Sequence, residues 1–352
     1  MITALEALLD NILADPLAGM SADEGAIGYV GLDIPLEILL ASERRYAHLP
    51  WQKGRKTPDA DKWLESSFPG WARSMLQDWM AGRFDVFDTV IFSRGDDAVQ
   101  RLYYYLCELQ RRGVVSGPRP VMYDVARIPR PSSVLHTRQA IRHLAQMLDI
   151  DEAALAPAID AANIRRSLYG MLDVSRTASG RLLENIVRAS LFRDLADELS
   201  GLAFPASEHG RRLLLAGSVP PDDSFHVAAE AAGWNVVGES HQRTPGRFGP
   251  PIEVGDADPV MAMAEQYNSC PLGPRAFSDR ASRLATDMKR CQADAVVLWL
   301  TEDDEALAWH VTGQRRVLAD SHLPHLVMTR RRWDGADDSV AEMRDFLMEH
   351  NI

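Results

Sequence analysis

The stretch DTVIFSRGDDAVQRLYYYL, residues 88–106, has the pattern of a strand, a polar turn and a helix in direct succession. Residues 89–92 are short, apolar and rich in β-branched and aromatic side chains, which is typical of a strand buried on both faces. Residues 93–97 are polar or glycine and end that pattern, and Asp96 or Asp97 is suited to cap the following helix. The first helical N–H groups then point to where parallel sheets bind ligands. The stretch therefore predicts an α/β fold and a site at this turn.

Short apolar runs alternate with helical patterns along the rest of the chain. Strands are predicted at residues 89–92, 121–125, 213–216, 235–238, 295–300 and 325–329. A long helical region with few breakers extends from about residue 133 to residue 199. We predict an α/β fold with two Rossmann-like or flavodoxin-like domains, each with a parallel sheet, and a helical linking region. The first α/β domain with its helical extension is expected at residues 1–200 and the second at residues 201–352.

Length and charge limit the possible classes of protein. The 352 residues exceed the roughly 250–300 at which a single hydrophobic core stops growing, which favours two domains. Because 50 acidic side chains outnumber 38 basic ones, the chain is not expected to bind nucleic acid. No run approaches the about 20 apolar residues of a membrane span, and the acidic, amphipathic beginning is unlike a secretory signal. We expect a cytoplasmic protein that does not associate with membranes.

A second stretch, GYVGLDIPLEILLAS at residues 28–42, adds a recognisable motif. Together with residues 88–106 it resembles the family of 2-hydroxyacyl-CoA dehydratase and benzoyl-CoA reductase subunits. In that family an early glycine precedes a proline and a glutamate two residues apart, and a small residue follows. The corresponding residues here are Gly28, Pro35, Glu37 and Ala41.

The resemblance continues through nearly the whole chain. The run Arg101–Tyr103 sets the register of the second motif, which aligns Asp97 with a family aspartate and Asp96 with an iron-ligating cysteine. Residues 211–240 are similar to the opening of the family's second domain, and residues 293–309 resemble a strand that ends near another cluster cysteine. Thr301 and Glu302 occupy that neighbourhood here.

The resemblance implies a lyase reaction that needs iron. Family dehydratases are heterodimers that accept an electron from an ATP-driven activator, form a ketyl radical on a CoA thioester and eliminate water. Their members supply three thiolates to a 4Fe–4S cluster. This chain has three cysteines, Cys107, Cys270 and Cys291, but none at a predicted strand end and none in a CxxC spacing. We therefore predict no metal site and no cofactor on this chain, with a 4Fe–4S cluster in a homologous, cysteine-bearing partner subunit.

Candidate site residues follow the predicted strand ends. Asp96, Asp97 and Glu302 are candidate acids or bases, because carboxylates at facing strand ends shift one another's pKa values apart. A purely structural role as helix caps is the more common use of such aspartates. The candidate substrate-binding residues are Ser93, Arg94, Gly217, Ser218, His241 and Thr301.

Three functions remain open at this point. The favoured one is a dehydratase-like subunit without its own cluster, which is noncatalytic or binds the CoA thioester beside a cysteine-bearing paralogue. The second is a cluster-independent enzyme that acts on an acyl-CoA thioester by acid–base chemistry. The third is a radical dehydratase or benzoyl-CoA reductase subunit with a noncanonical 4Fe–4S site. The residues do not identify the acyl group, because selectivity depends on the shape of the pocket.

Overall fold

Two parallel β-sheets organise this chain in a computed structural model, which describes residues 1–174, 178–207, 210–255, 258–270 and 277–351. The elements of the first part are α1 (Ile2–Ala14), β1 (Ala26–Val30), α2 (Leu36–Ala41), β2 (Tyr46–His48), α3 (Gly70–Met80), β3 (Phe87–Ser93), α4 (Asp97–Arg111), β4 (Arg119–Tyr123), α5 (Pro131–Met147), α6 (Leu155–Val174), α7 (Gly180–Ala189) and α8 (Ala196–Leu199). Those of the second part are β5 (Arg211–Gly217), α9 (Ser224–Ala231), β6 (Trp234–Ser240), α10 (Pro259–Ser269), α11 (Arg280–Cys291), β7 (Ala295–Thr301), α12 (Glu305–Ala308), α13 (Val311–Ser321), β8 (His325–Arg331) and α14 (Ser339–Glu349).

Both sheets have the same strand order. The first runs β2-β1-β3-β4 and the second β6-β5-β7-β8, and the strand pairs in both are parallel. This is the beginning of the flavodoxin-like order, in which ligands bind beyond the carboxyl ends of the first and third strands. The predicted α/β class with two parallel sheets is thus confirmed. The topology places candidate sites at the ends of β1 and β3 and at the ends of β5 and β7.

The predicted strands correspond to β3 through β8, whereas β1 and β2 were not predicted. Gly28 interrupts the apolar run of β1, and glycine is unfavourable in strands. A Cβ atom at this position would lie only 2.8 Å from the side chains of Leu49 and Val90, so the tight packing of β1 requires glycine. The strand β2 has three residues, too few for a periodic pattern.

Helices cover both faces of the first sheet. On one face α5 and α10 pack against it, with Ile91, Ile141 and Met263 in a common core. On the other face α3 and α4 enclose the rings of Trp79 and Phe92. Because α10 follows residue 201 in sequence, the second half of the chain contributes to the core of the first sheet. The division into domains at residues 200 and 201 stays a prediction.

The second sheet is covered in the same way. Phe225 of α9 and Met343 of α14 pack with Trp299 on one face, and α11 and α13 cover the other face. This two-sided burial explains why β5 and β7 are continuous apolar runs rather than alternating ones.

The predicted helical region near residues 133–199 forms α5, α6, α7 and α8 in its described part, and residues 175–177 lie outside that part. Helix α6 packs on α2, while α7 contacts α1, α9 and β6. Asn235 of β6 accepts a hydrogen bond from the Gly180 N–H at 2.8 Å and thereby fixes the start of α7. The region therefore braces the first sheet against the second. None of the described helices is long and apolar enough to cross a membrane.

Candidate functional site

The loops after β1 and β3 touch each other at the end of the first sheet. A Cβ atom on Gly95 would collide with the Asp33 carboxylate, and one on Gly31 would lie 2.5 Å from the Cβ of Ser93. The hydroxyl of Ser93 is buried and accepts a hydrogen bond from the Gly95 N–H at 2.9 Å. Glycine is therefore required in both loops, and Ser93 holds the turn that begins the predicted site.

Asp96 is the N-cap of α4. Its Oδ1 accepts hydrogen bonds from the N–H groups of Ala98 at 2.8 Å and Val99 at 3.0 Å. Asp97 begins the helix, and its negative charge lies in the first turn, where the helix dipole favours it. Arg94 donates a hydrogen bond to the Asp124 carboxylate at 2.6 Å. The predicted capping role of Asp96 is therefore confirmed.

A second turn lies at the ends of β5 and β7. Gly217 has a φ of +108°, and a Cβ atom there would collide with the carbonyl of Trp299. Ser218 Oγ donates to Asp304 Oδ2 at 3.1 Å and accepts a hydrogen bond from the Thr301 N–H, also at 3.1 Å. The Thr301 hydroxyl lies 3.3 Å from Ser218 Oγ. Gly217, Ser218 and Thr301, predicted separately, are thus brought together, with Asp304 added to them.

Asp304, in the second turn, has a shifted ionisation. Burial is the main cause that raises the pKa of Asp304 to about 6, and the negative charges of Asp96 and Asp303 raise it further. Hydrogen bonds from the Leu307 N–H and the Ser218 hydroxyl act in the opposite direction. Interacting carboxylates at the strand ends were predicted among Asp96, Asp97 and Glu302, and the charge of Asp96 acts on Asp304, whereas Glu302 is exposed.

Sequence reasoning missed Asp304, although the acidic run at residues 302–305 directly after an apolar strand was a usable signal. It also missed two arginines. Arg127 is buried, binds the Asp33 carboxylate at 2.8 Å and donates to the Tyr267 carbonyl at 2.7 Å. Burial lowers the pKa of Arg280, and the neighbouring Asp304 opposes that shift. Each of the two turns therefore has a buried guanidinium group close to a carboxylate, Arg127 beside Asp33 and Arg280 beside Asp304.

A cavity of about 310 Å³ opens beside Thr301, at the ends of β7 and β8. Glu302, Asp304 and Arg330 contribute to its wall, together with Trp309, whose side chain is 87% exposed. The lining carries three carboxylates, with Glu305 as the third, and one guanidinium, so an anionic group of a ligand is attracted only at Arg330.

His241 has a different environment from the one predicted for a substrate-binding residue. It is buried, its Nδ1 accepts a hydrogen bond from the Arg243 N–H at 3.2 Å, and its Nε2 lies 3.2 Å from the Glu239 carboxylate. It does not line the cavity beside Thr301. Its contacts place it in a buried group of charged side chains near the end of β6.

The donor atoms at these strand ends do not fit a cysteine-ligated 4Fe–4S cluster. Asp96 and Thr301 offer oxygen atoms, and Asp96 Oδ1 is already used by two helical N–H groups. Cys107 lies within α4, Cys270 follows the end of α10, and Cys291 is buried in the core of the second sheet. Iron–sulfur clusters are held by thiolates, so we derive no reaction step through a cluster on this chain.

Asp96→Ala is expected to lower the free energy of unfolding by about 1 kcal/mol, within the range of about 0.5–2 kcal/mol for a lost N-cap. The reason is that two N–H groups of α4 lose their acceptor. Urea denaturation at pH 7 measures the change, with Asp97→Ala as the matched control that leaves the cap in place. Equal losses in the two variants would contradict the capping role.

Comparison with known proteins gives one family. A family model described as 2-hydroxyglutaryl-CoA dehydratase, D-component, matches residues 32–344. No curated protein matches the chain. The match covers every strand of the two sheets except β1, which ends before residue 32.

Proposed function

The chain belongs to the 2-hydroxyglutaryl-CoA dehydratase D-component family, and we propose that it is a subunit of a 2-hydroxyacyl-CoA dehydratase-type complex without an iron–sulfur cluster of its own. In this proposal it binds the CoA thioester, or supports its binding, beside a homologous subunit whose cysteines hold the cluster. The iron-dependent chemistry then takes place on the partner.

This proposal rests on the side chains at the strand ends, which offer oxygen atoms rather than thiolates as metal ligands. The positions that resemble cluster-binding ones hold Asp96 and Thr301, and both are engaged in local hydrogen bonds that stabilise the turns. The capping of α4 and the Ser218–Thr301–Asp304 contacts hold the two loops in place. A subunit that has kept the scaffold of the site but not its thiolates is suited to binding and support rather than electron transfer.

Two residues of the cavity beside Thr301 support a CoA thioester as the ligand, whereas the three carboxylates of the same wall repel phosphate groups. The exposed indole of Trp309 offers a flat apolar surface for a ring, and Arg330 lines the same cavity. Guanidinium groups match the geometry of phosphate oxygens, which CoA carries. The nature of the acyl group is left open, because no contact in the cavity selects one.

A second function is favoured by the shifted pKa of Asp304. A carboxyl group with a pKa of about 6 is close to the value that suits a general base near neutral pH. Asp304 also lines the cavity beside Thr301, so a cluster-independent enzyme would use Asp304 to accept a proton from a thioester bound there. This candidate needs no partner subunit.

Iron analysis distinguishes these functions. The protein is purified anaerobically from its native host with its companions attached, the subunits are separated, and iron and acid-labile sulfide are measured on each. We expect iron and sulfide on a companion chain and less than about 0.1 iron per copy of this chain, because iron–sulfur clusters require thiolates.

The other outcomes are equally informative. Absence of iron from every chain would contradict the subunit proposal and favour the acid–base enzyme. Stoichiometric iron on this chain would overturn both and favour a noncanonical cluster site. Cys107→Ser and Cys270→Ser serve as controls, since under the proposal neither changes the iron content of the complex.

A further inference from the structure

A group of buried ionisable side chains lies outside the cavity described above. Glu184 on α7, His226 on α9 and Glu239 near the end of β6 come from three separate elements. One carboxylate oxygen from each glutamate and one ring nitrogen of His226 lie within 4.8 Å of one another. Glu184 and His226 are each 1% exposed, so this group is shielded from water.

The contacts within the group leave several atoms unused. His226 Nε2 lies 3.0 Å from Glu239 Oε1, and His241 Nε2 lies 3.2 Å from the same oxygen without the geometry of a hydrogen bond. Arg243 donates to Glu184 Oε1 and to the Pro220 carbonyl. Glu184 Oε2, His226 Nδ1 and His241 Nε2 have no hydrogen-bond partner among the described residues.

The group holds charges of both signs in a buried space. Arg243 forms an ion pair with Glu184, on which Arg188 and His226 also act, and His226 Nε2 lies 3.0 Å from the Glu239 carboxylate. Buried charges are retained where they are paired or where they coordinate a metal ion. Glu184 Oε2 has no hydrogen-bond partner among the described residues, and a divalent cation between the two glutamates would use its lone pairs.

We propose that Glu184, His226 and Glu239 bind a first-row divalent metal ion, with Zn²⁺ as the representative. Imidazole nitrogen and carboxylate oxygen are usual ligands of this ion. Two ligands about 2.1 Å from a common ion are roughly 3 Å apart, which agrees with the separation of His226 Nε2 and Glu239 Oε1. Arg243 then neutralises the second oxygen of Glu184 from outside the ligand set.

The position of the site indicates a structural role. Glu184 belongs to the helical region that packs on α1, whereas His226 belongs to α9 and Glu239 to β6 of the second sheet. A bound ion would therefore fix α7 against the end of β6. This role is independent of the proposed dehydratase-like function, because it involves neither the cavity beside Thr301 nor the turn at Asp96.

Metal uptake tests the proposal on the full chain. The protein is unfolded in denaturant with a chelator, refolded in metal-free buffer, and then refolded with Zn²⁺ or Co²⁺, and the bound metal is measured after gel filtration. We expect one ion per chain, a melting temperature that rises with Zn²⁺ concentration, and visible d–d absorption from bound Co²⁺. A ratio below about 0.1 ion per chain with both metals, with refolding confirmed by circular dichroism, would overturn the proposal.

Variants identify the ligands. His226→Gln and Glu239→Gln are each expected to weaken Zn²⁺ binding by at least about 100-fold, because each removes a direct ligand. The exposed residues His143 and Glu6 provide matched controls as His143→Gln and Glu6→Gln. Binding by either ligand variant at wild-type affinity would overturn the proposal. Should a ligand variant not fold, the intensity and position of the Co²⁺ bands of the wild-type protein decide, since purely adventitious surface ions give weak octahedral spectra.

Discussion

Glu37→Ala is expected to lower the free energy of unfolding by about 3–5 kcal/mol, because it leaves a buried guanidinium without its carboxylate. Glu37 is fully buried and forms an ion pair with Arg166, which is also buried. The second carboxylate oxygen accepts a hydrogen bond from the Tyr267 hydroxyl at 2.8 Å. The substitution therefore removes a contact that joins α2, α6 and α10 at one point. Urea denaturation monitored by circular dichroism measures the loss.

The control for this prediction replaces the whole pair. A buried ion pair exchanged for apolar side chains of similar volume is often neutral in stability, whereas removal of one partner is not. The double variant Glu37→Met with Arg166→Met is thus expected to be more stable than Glu37→Ala. A loss below about 1 kcal/mol for Glu37→Ala would contradict the assigned role.

This contact also explains a sequence motif. Pro35 and Glu37 were recognised through the resemblance to dehydratase subunits, and their spacing alone assigned no role. Pro35 is the N-cap residue of α2, and Glu37 points from that helix into the core. Burial, followed by the charge of Glu37, raises the pKa of Tyr267 well above its ordinary value. The phenol therefore stays protonated and donates its hydrogen bond to the Glu37 carboxylate. The motif is therefore structural in this chain.

Asp304→Asn is expected to raise the free energy of unfolding at pH 8 by about 2–3 kcal/mol, with little change at pH 4. The pKa of Asp304 is about 6 in the folded protein, against an ordinary value of 3.8. The folded state therefore holds the proton more tightly than the unfolded state. The wild-type protein loses stability as the pH rises from about 4 to about 6 and stays less stable above it. Asparagine has no such titration and still offers an oxygen to the Leu307 N–H.

Urea denaturation between pH 4 and pH 8 measures this difference. Glu305→Gln is the matched control, because it removes an exposed carboxylate from the next position in the chain. The curves of wild-type protein and Asp304→Asn should converge at pH 4 and diverge above pH 5. Parallel curves across this range would show that Asp304 has an ordinary pKa.

Asp304→Asn also distinguishes the two proposed functions. A general base that is replaced by asparagine loses about 10²–10⁴-fold in rate, so the acid–base enzyme would be nearly inactive in thioester turnover. A subunit that only binds or supports the thioester would keep most of the activity of its complex. The measurement uses the intact complex, so that both functions are tested on the same material.

Local patterns were enough to predict much of the fold. The apolar runs of β3, β5 and β7 are buried on both faces, and such strands have continuous hydrophobic sequences that can be recognised without the structure. The alternation of such runs with helical patterns predicted parallel sheets, and the aspartate after β3 predicted the cap of α4. The strand β1 was missed because the fit of Gly28 against Leu49 and Val90 is decided by distant residues.

The sequence by itself determined the α/β class, most of the strands, the capping aspartate and the family resemblance, because each depends on residues that are neighbours along the chain. Only the tertiary structure decided that the charge of Asp96 acts on Asp304, and only it brought Glu184, His226 and Glu239 together. These residues lie on separate elements and share no spacing that a sequence pattern could reveal. Their contacts follow from how two sheets and a bracing helix pack, and that packing is the sum of many long-range apolar contacts.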